Sequence, residues 1–381
     1  MADNLLSEEE SLLRNTVRDY SNDVLATRAA DYDESGLFPW DNFRELGDMG
    51  LLGLGIDEEY GGSGGSTRLV ALAAEEIARG CAATSVVYIA HLSLCTQFIN
   101  RYGNEDQKNK YLPDLASGKK VGAFALTEPG AGSDAAAITT NAVRANGHLV
   151  VNGNKTYISN APEASVIETL ATRDHSLSYK GIDALIIDGD LEGVTVNKLA
   201  GKMGVRASTV GEIIFDNCHV PVVNQMGGDG VGFRQTMEVL NASRISIAAQ
   251  CVGIAQAALE ASIEYAKNRK AFGGTLSDLQ AIQWMVADMA TETEAARQLV
   301  MNTASLRDAG LPFNTEASMA KLFGSRVAMD AAYKAVQIHG GAGYFSPTPV
   351  ERYFRDARVT EIYEGTSEIQ KMVIARNILT D

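Results

Sequence analysis

Val121-Gly122-Ala123-Phe124-Ala125-Leu126-Thr127 is where the chain changes texture. This run reads as a strand, and the pattern upstream of it is helical. Ser7 and Glu10 are spaced as a capping box, with Leu13, Val17, Tyr20 and Val24 following at helical intervals. A second helical run places Leu69, Leu72, Ala73 and Ile77 on one face after the Gly61-Gly62-Ser63-Gly64-Gly65 break, and a third surrounds Ile89 to Tyr102. Downstream, Asn146-Gly147 signals a hairpin, flanked by Leu149, Val151 and then Tyr157-Ile158. Further short strands fit Val166–Ala171, Ala184–Ile187, Val194–Leu199 and Glu212–Phe215, and Pro221 closes the region. Many short strands between Gly, Asn and Asp turns predict a small β-barrel or sandwich. From about Gly232 long helices return. Phe233, Met237, Leu240, Ile245 and Ala248 begin one; Leu279 to Arg307, Glu316 to His339 and Ser367 to Leu379 are three more, with Gly340-Gly341 as a stop. The predicted fold is α+β: an N-terminal helical domain over residues 1–120, a central β-barrel domain over 121–228, and a C-terminal four-helix bundle over 229–381.

At 381 residues the chain is long enough for two or three domains. Its 45% hydrophobic and 21% charged residues fit an ordinary globular protein. The net charge of −15 argues against a nucleic-acid partner, while leaving local Arg and Lys free to hold one phosphorylated small molecule. Cys81, Cys95, Cys218 and Cys251 form no CxxC pair and have no histidines at zinc spacing, so no metal site is expected. They read as reduced core residues of a cytoplasmic protein. Met1-Ala2-Asp3-Asn4 has no basic or apolar leader character, so no signal peptide is expected. No run of about 18 uncharged apolar residues is evident, so no membrane span is expected either. Gly228-Asp229-Gly230-Val231-Gly232 lacks dinucleotide-fingerprint spacing, and Gly153-Asn154-Lys155-Thr156 lacks the glycine a phosphate loop needs before its lysine. Both read as turns. The five histidines are far apart and read as surface or satisfied core.

Near the C-terminus stands Ile362-Tyr363-Glu364-Gly365-Thr366-Ser367-Glu368-Ile369-Gln370. It sets a carboxylate against a flexible residue and a Thr able to cap the next helix. Glu364 is a candidate general base. A lone loop glutamate is more often solvated surface, so its meaning depends on context.

That context is five strings in fixed order. They are Phe124-Ala125-Leu126-Thr127-Glu128-Pro129-Gly130-Ala131-Gly132-Ser133-Asp134; Lys155-Thr156-Tyr157-Ile158-Ser159-Asn160; Asn268-Arg269-Lys270-Ala271-Phe272-Gly273 with Gln280; Gln337-Ile338-His339-Gly340-Gly341-Ala342-Gly343-Tyr344; and Arg355-Asp356-Ala357-Arg358-Val359 leading into the Glu364 string. Together, over the whole chain, they resemble the acyl-CoA dehydrogenase family. The short, straight-chain branch looks nearest, from Asn160-Ala161-Pro162-Glu163-Ala164-Ser165 and the C-terminal string.

The resemblance implies an FAD enzyme that desaturates a fatty acyl-CoA between its α and β carbons. A proton α to a thioester is too weakly acidic for a free carboxylate. The site must therefore raise the base's proton affinity and stabilise the enolate oxygen. By resemblance Glu364 is that base. Phe124, Leu126, Thr127, Tyr157 and Ser159 would surround the flavin ring; Tyr157 stands where Trp is common, and its plainer reading is a barrel-core strand residue. Ser133 and Arg244 would contact CoA, with Asn241, Tyr363 and Gly365 also on the substrate side. A solvated helix face is the other reading of Arg244. Arg269, Phe272, Gln280, Gln337 and Gly341 would grip the FAD pyrophosphate and adenosine across a subunit boundary, making a dimer the minimum and a homotetramer the usual form. Thr366 and Glu368 would meet the FAD of their own chain, or simply cap a helix. Some relatives carry the base beside the Arg of the first bundle helix; here that neighbour is Ser243, which favours Glu364. Electrons would pass to electron-transfer flavoprotein. The same fold run as an oxidase or monooxygenase, a cyclic or branched acyl-CoA as substrate, and a non-enzymatic scaffold are the alternatives. Acyl length is expected to depend on Tyr88–Gln97 and the first bundle helix. Ala82, Ala83, Ser93 and Thr96 would leave room there, and Tyr88, His91 and Phe98 would fill it.

Overall fold

The computed structural model describes residues 6–380; the Met1–Asn4 segment lies outside the described residues. The helical first third contains α1 (Glu8–Tyr20), a π-helical turn Ser21–Leu25, α2 (Ala26–Ser35), α3 (Trp40–Asp48), α4 (Thr67–Gly80), α5 (Ala82–Ile89), a second π-helical segment Ala90–Thr96, α6 (Gln97–Tyr102) and α7 (Glu105–Ala116). The predicted capping box is present: Glu10 N–H donates to Ser7 Oγ at 3.1 Å, and Ser7 N–H donates to Glu10 Oε2 at 2.9 Å.

The middle third is one eight-stranded sheet: β1 (Gly122–Ala125), β2 (Asn141–Ala145), β3 (His148–Ser159), β4 (Val166–Thr172), β5 (Ile182–Asp188), β6 (Val194–Leu199), β7 (Val210–Pro221) and β8 (Gln225–Met226). The hydrogen-bonded path runs β6-β7-β3-β2-β4-β5-β8, with β1 parallel to β4. It is mostly antiparallel and bends round a core that includes Ala123, Leu149, Val151, Ile167, Ile213 and Phe215. Asn146 and Gly147, at φ 50° and 80°, make the expected tight hairpin between β2 and β3. β4 is buried on both faces. Ile167 and Ala171 point into the sheet's own core, while Val166 and Leu170 join the helical core.

The last third contains α8 (Gly232–Asn268), the hairpin β9 (Lys270–Ala271) and β10 (Gly274–Thr275), α9 (Gln280–Asp308), α10 (Asn314–His339), α11 (Pro349–Arg358) and α12 (Ser367–Thr380). The four expected helices are there. The short α11 was not expected; Pro349 opens it, and half of its ten residues are charged, which hides a helix that is in fact strongly two-faced. α4 packs against α8, and a single apolar core runs from Val17 and Leu25 to Val350 and Ala357. First and last thirds thus bury their apolar faces together. Ala82–Tyr102 and Gly232–Asn268 are long and apolar enough to span a bilayer. Their most apolar windows are 94% and 83% buried inside the protein, so that apolarity serves the shared core.

Candidate active site

A cavity of about 590 Å³ opens where the sheet meets both helical regions. Its volume is that of a small-molecule site. Ile89, Ala90 and Leu94 of α5 and the second π-helical segment form one wall; Leu240 and Ile247 of α8 form another. Among the sequence-predicted residues, Phe124, Leu126, Thr127, Ser133, Tyr157, Ser159, Arg244, Tyr363, Glu364, Gly365 and Thr366 all line it. Residues separated by up to 242 positions, Phe124 to Thr366, converge on one space.

The Glu364 turn is held from several directions. Glu364 has φ 51° and Gly365 φ 97°. A non-glycine residue in this region carries strain of about 1–3 kcal/mol, which surrounding contacts must offset. Lys321 of α10 donates to Gly365 O at 2.8 Å, Gln370 of α12 donates to the same oxygen at 2.9 Å, and Arg244 Nε reaches Glu364 O at 3.4 Å. Thr366 Oγ1 accepts from Ile369 N–H at 3.3 Å, so it caps α12 while lining the cavity. Tyr363 donates to Gln250, which fixes the turn to α8. The Glu364 carboxylate accepts a hydrogen bond from Ser243. Burial pushes its pKa up to about 7, against the opposing pull of the Ser243 hydroxyl, Arg244 and Lys321. Arg244 is 5% exposed and donates to Asn241 at 2.6 Å. It is therefore no solvated helix face. Asn241 lies behind it and orients it, outside the cavity lining.

β3 breaks its register between Lys155 and Ile158, and Tyr157 occupies the irregularity with φ 58°. Its ring is 73% exposed and lines the cavity, so the barrel-core reading of Tyr157 is corrected. Asn160, at φ 65°, ends the strand and donates to Val87 O and Gly122 O at 3.1 and 3.3 Å. Those bonds lock β3 to α5 and β1. Beneath the cavity floor Lys155 Nζ meets Glu128 Oε1 at 2.8 Å, both essentially fully buried, and also donates to Leu126 O at 3.1 Å. Glu128 further accepts from the Thr139 and Thr140 N–H groups at 2.6 and 3.0 Å. Burial pushes its carboxyl up, but Lys155 and these donors outweigh that and hold it at about 2. The pair pins the loop that carries Ser133. Lys155, set aside above as a turn residue, is thus a structural anchor in mid-strand.

Three family models match along the chain: the acyl-CoA dehydrogenase N-terminal domain over residues 7–119, the middle domain over 123–218 and the C-terminal domain over 230–379. The chain belongs to the acyl-CoA dehydrogenase family. It is 44% identical to the short-chain specific acyl-CoA dehydrogenase of Clostridium acetobutylicum, over 98% of each chain. It is similar to butyryl-CoA dehydrogenase from Megasphaera elsdenii at TM-score 0.96 and 38% identity, covering 98% of this chain and 99% of that one. It also matches a chain in the solved structure of the electron transferring flavoprotein of Acidaminococcus fermentans, at TM-score 0.97 and 40% identity over 99% of both. Acyl-CoA dehydrogenases are FAD-dependent oxidoreductases, and FAD is the cofactor here.

The residues present fit a flavin. The cavity walls are mainly apolar and end in an exposed aromatic, Tyr157. Ser208 Oγ is buried against the cavity with no protein partner, a polar atom left for a ligand. Gly132 has open space where a Cβ would stand, so a ligand can approach its backbone.

The other predicted cofactor residues of this acyl-CoA dehydrogenase lie elsewhere. Arg269 and Gln280 flank the β9–β10 hairpin, and Phe272 is at its tip, 93% exposed with φ 51°. Gln337 and Gly341, at the end of α10, are also exposed. Tyr265 stacks on His339 with ring centroids 4.2 Å apart, which places the ends of α8 and α10 side by side. Glu368 is exposed on the first turn of α12 and does not line the cavity, the position of a helix-end carboxylate. Tyr88, His91 and Phe98 are fully buried in the helical core, so they do not fill the cavity, and Ser93 faces a different space. The sequence reading missed Ser243 as a partner of the base, and it missed Lys321 and Gln370. Two lysines, Lys321 and Lys334, stand among the alanines of α10, and nothing local marks Lys321 as the one that reaches the Glu364 turn.

Proposed function

We propose that this chain oxidises a short, straight acyl-CoA to the trans-2-enoyl-CoA, with Glu364 as the base. The observation that carries the reading is a half-buried carboxylate at the cavity wall, on a strained turn pinned by α8, α10 and α12, with its proton affinity raised into the neutral range. A base poised near neutrality combines availability with driving force. FAD, held by Phe124, Leu126, Thr127, Tyr157, Ser159 and Thr366, supplies the acceptor for the β-hydride. Glu364 takes the α-proton, and its own backbone N–H is the donor for the thioester oxygen. Apolar side chains from α5, the second π-helical segment and α8 enclose the acyl group and exclude water. Ser133 at the rim and Arg244 receive the CoA portion. The short-chain assignment is supported by the activity named for the Clostridium and Megasphaera relatives.

The exposed set Arg269, Phe272, Gln280, Gln337 and Gly341 serves the FAD of a second copy, so that the working unit is at least a dimer and, as is typical of the family, a homotetramer. Electrons leave to electron-transfer flavoprotein, a role supported by the likeness to the Acidaminococcus chain. Four buried thiols with no disulfide among them support a cytoplasmic setting.

Anaerobic titration of the holoenzyme with butyryl-CoA, followed by flavin absorbance and by product analysis, tests the reading. Bleaching with crotonyl-CoA formed is expected. A flavin that butyryl-CoA leaves oxidised would overturn the short-chain assignment.

A further inference from the structure

Behind the base lies a second, smaller cavity of about 30 Å³. That is room for a water, and its lining is polar enough to hold one. α8 divides the two spaces. Leu240, Arg244 and Ile247 face the large cavity, while Ala242, Ser243 and Ser246 face the small one. Ser243 sits at the seam, because its hydroxyl also bonds the Glu364 carboxylate. Leu240 O lies 3.4 Å from Ser243 Oγ, a second acceptor to which the hydroxyl can turn. Ser246 Oγ is 3.0 Å from Ser93 Oγ, and the latter belongs to the π-helical segment Ala90–Thr96. Such irregular turns are frequent at functional positions. At its outer end the small cavity is lined by Arg101 and Glu238, an ion pair at 3.0 Å whose side chains are 48% and 40% exposed. Arg307 also lines it, and its charge disfavours hydronium there, which leaves the Glu238 carboxylate at the mouth as the group that offsets it.

Each turnover leaves one proton on the base, and that proton must leave before the next. Glu364 itself lines the large cavity, whose other walls are mainly apolar. We propose that the proton leaves by the back: Glu364 passes it to Ser243 Oγ, Ser243 gives its own proton to water in the small cavity, and Ser246 with Ser93 orders that water toward the Glu238 mouth. The O–H bond of protonated Glu364 breaks as a new one forms on Ser243. The original Ser243 O–H bond breaks as hydronium forms, so the carboxylate and hydroxyl are both restored. Ser243, Ser246 and Ser93 are positioning residues for this transfer. The proposal rests on Glu364 being the base.

3-Thiabutyryl-CoA provides the test, because sulfur replaces its β-carbon and no hydride can leave. The holoenzyme is mixed with it in D₂O, and loss of the α-proton signal is followed by NMR. Flavin spectral perturbation reports thioester binding in the same samples. The parent protein exchanges the α-protons, and Glu364→Gln does not. Ser243→Ala slows exchange about tenfold or more with little change in binding, and Ser243→Thr restores it. Ser246→Val, which fills the small cavity without touching Glu364, slows exchange comparably and leaves the pH midpoint unchanged; Ser246→Ala and Ser93→Ala give smaller losses. Parent-rate exchange in both Ser243→Ala and Ser246→Val would overturn the back exit while leaving Glu364 as base. Absence of Glu364-dependent exchange in the parent would overturn the base itself.

Discussion

Two sets of residues, both taken from the family resemblance, take opposite forms in the structure. Phe124, Tyr157, Arg244 and Glu364 gather round one cavity, and the last two are held by named hydrogen bonds. Arg269, Phe272, Gln280 and Gln337 sit on the outside of the C-terminal region, with Phe272 almost wholly bare. A sequence string marks residues without saying whether one chain brings them together. Burial separates the two sets, and the proposed role of the bare set on a second copy is what the experiments below test. Phe272, at the tip of a two-residue turn, leaves its ring almost wholly uncovered within its own chain, as a residue proposed to serve a second copy would.

The largest effect separating the two sets is chemical. Glu364→Gln keeps the size of the side chain and removes the base, so flavin reduction by butyryl-CoA should slow by about 10⁴-fold. Rapid-scan absorbance under anaerobic conditions measures it, and the flavin should stay bound. Next comes the floor of the cavity. Lys155→Met strands Glu128 as an unpaired buried charge, and breaking such a pair costs about 3–5 kcal/mol. Urea denaturation of the holoenzyme should show the loss, and unchanged stability would mean that the loop bearing Ser133 is held some other way. The bare set follows: Phe272→Ala with Arg269→Ala should weaken FAD retention by about ten- to a hundredfold while leaving the cavity chemistry of flavin-saturated protein near normal. Ultrafiltration gives the free flavin and sedimentation the assembly state; full retention in a smaller assembly would break the comparison. The smallest effect is on acidity. Glu364 titrates at about 7, so the reduction rate should rise with pH through that value and then level off. Ser243→Ala removes a hydrogen bond that favours the ionised form and should move the midpoint up by about one unit. The sign for stability is the reverse. The unfolded glutamate loses its proton near 4.5 and the folded one near 7, so folding stability attributable to Glu364 declines as pH rises between them.

Much of the fold was legible because period and turn chemistry are local. Asn146-Gly147 specified its hairpin, and the three long C-terminal helices and β4 lay close to where their patterns put them. α11 was not legible, because its charged composition reads as loop although Pro349 stands at a position that favours a helix start. Within the site, residue types were readable while their conformations were not. Tyr157, Phe272 and Glu364 all take positive φ, against their intrinsic preferences, because the surrounding fold holds them there. Pairings across the chain were equally hidden. Ser243 and Glu364 stand 121 positions apart, and Lys155 looked like a turn residue until Glu128 appeared beside it in the core.

The most direct test is the primary isotope effect. [2,2-²H₂]Butyryl-CoA and its protiated form are mixed anaerobically with the holoenzyme and with Glu364→Gln. Removal of the α-proton by Glu364 predicts slower bleaching with the deuterated thioester in the parent, and bleaching by either slowed by about 10⁴-fold in Glu364→Gln. Bleaching of the Glu364→Gln protein at the parent rate, with the same isotope effect, would show that another group is the base.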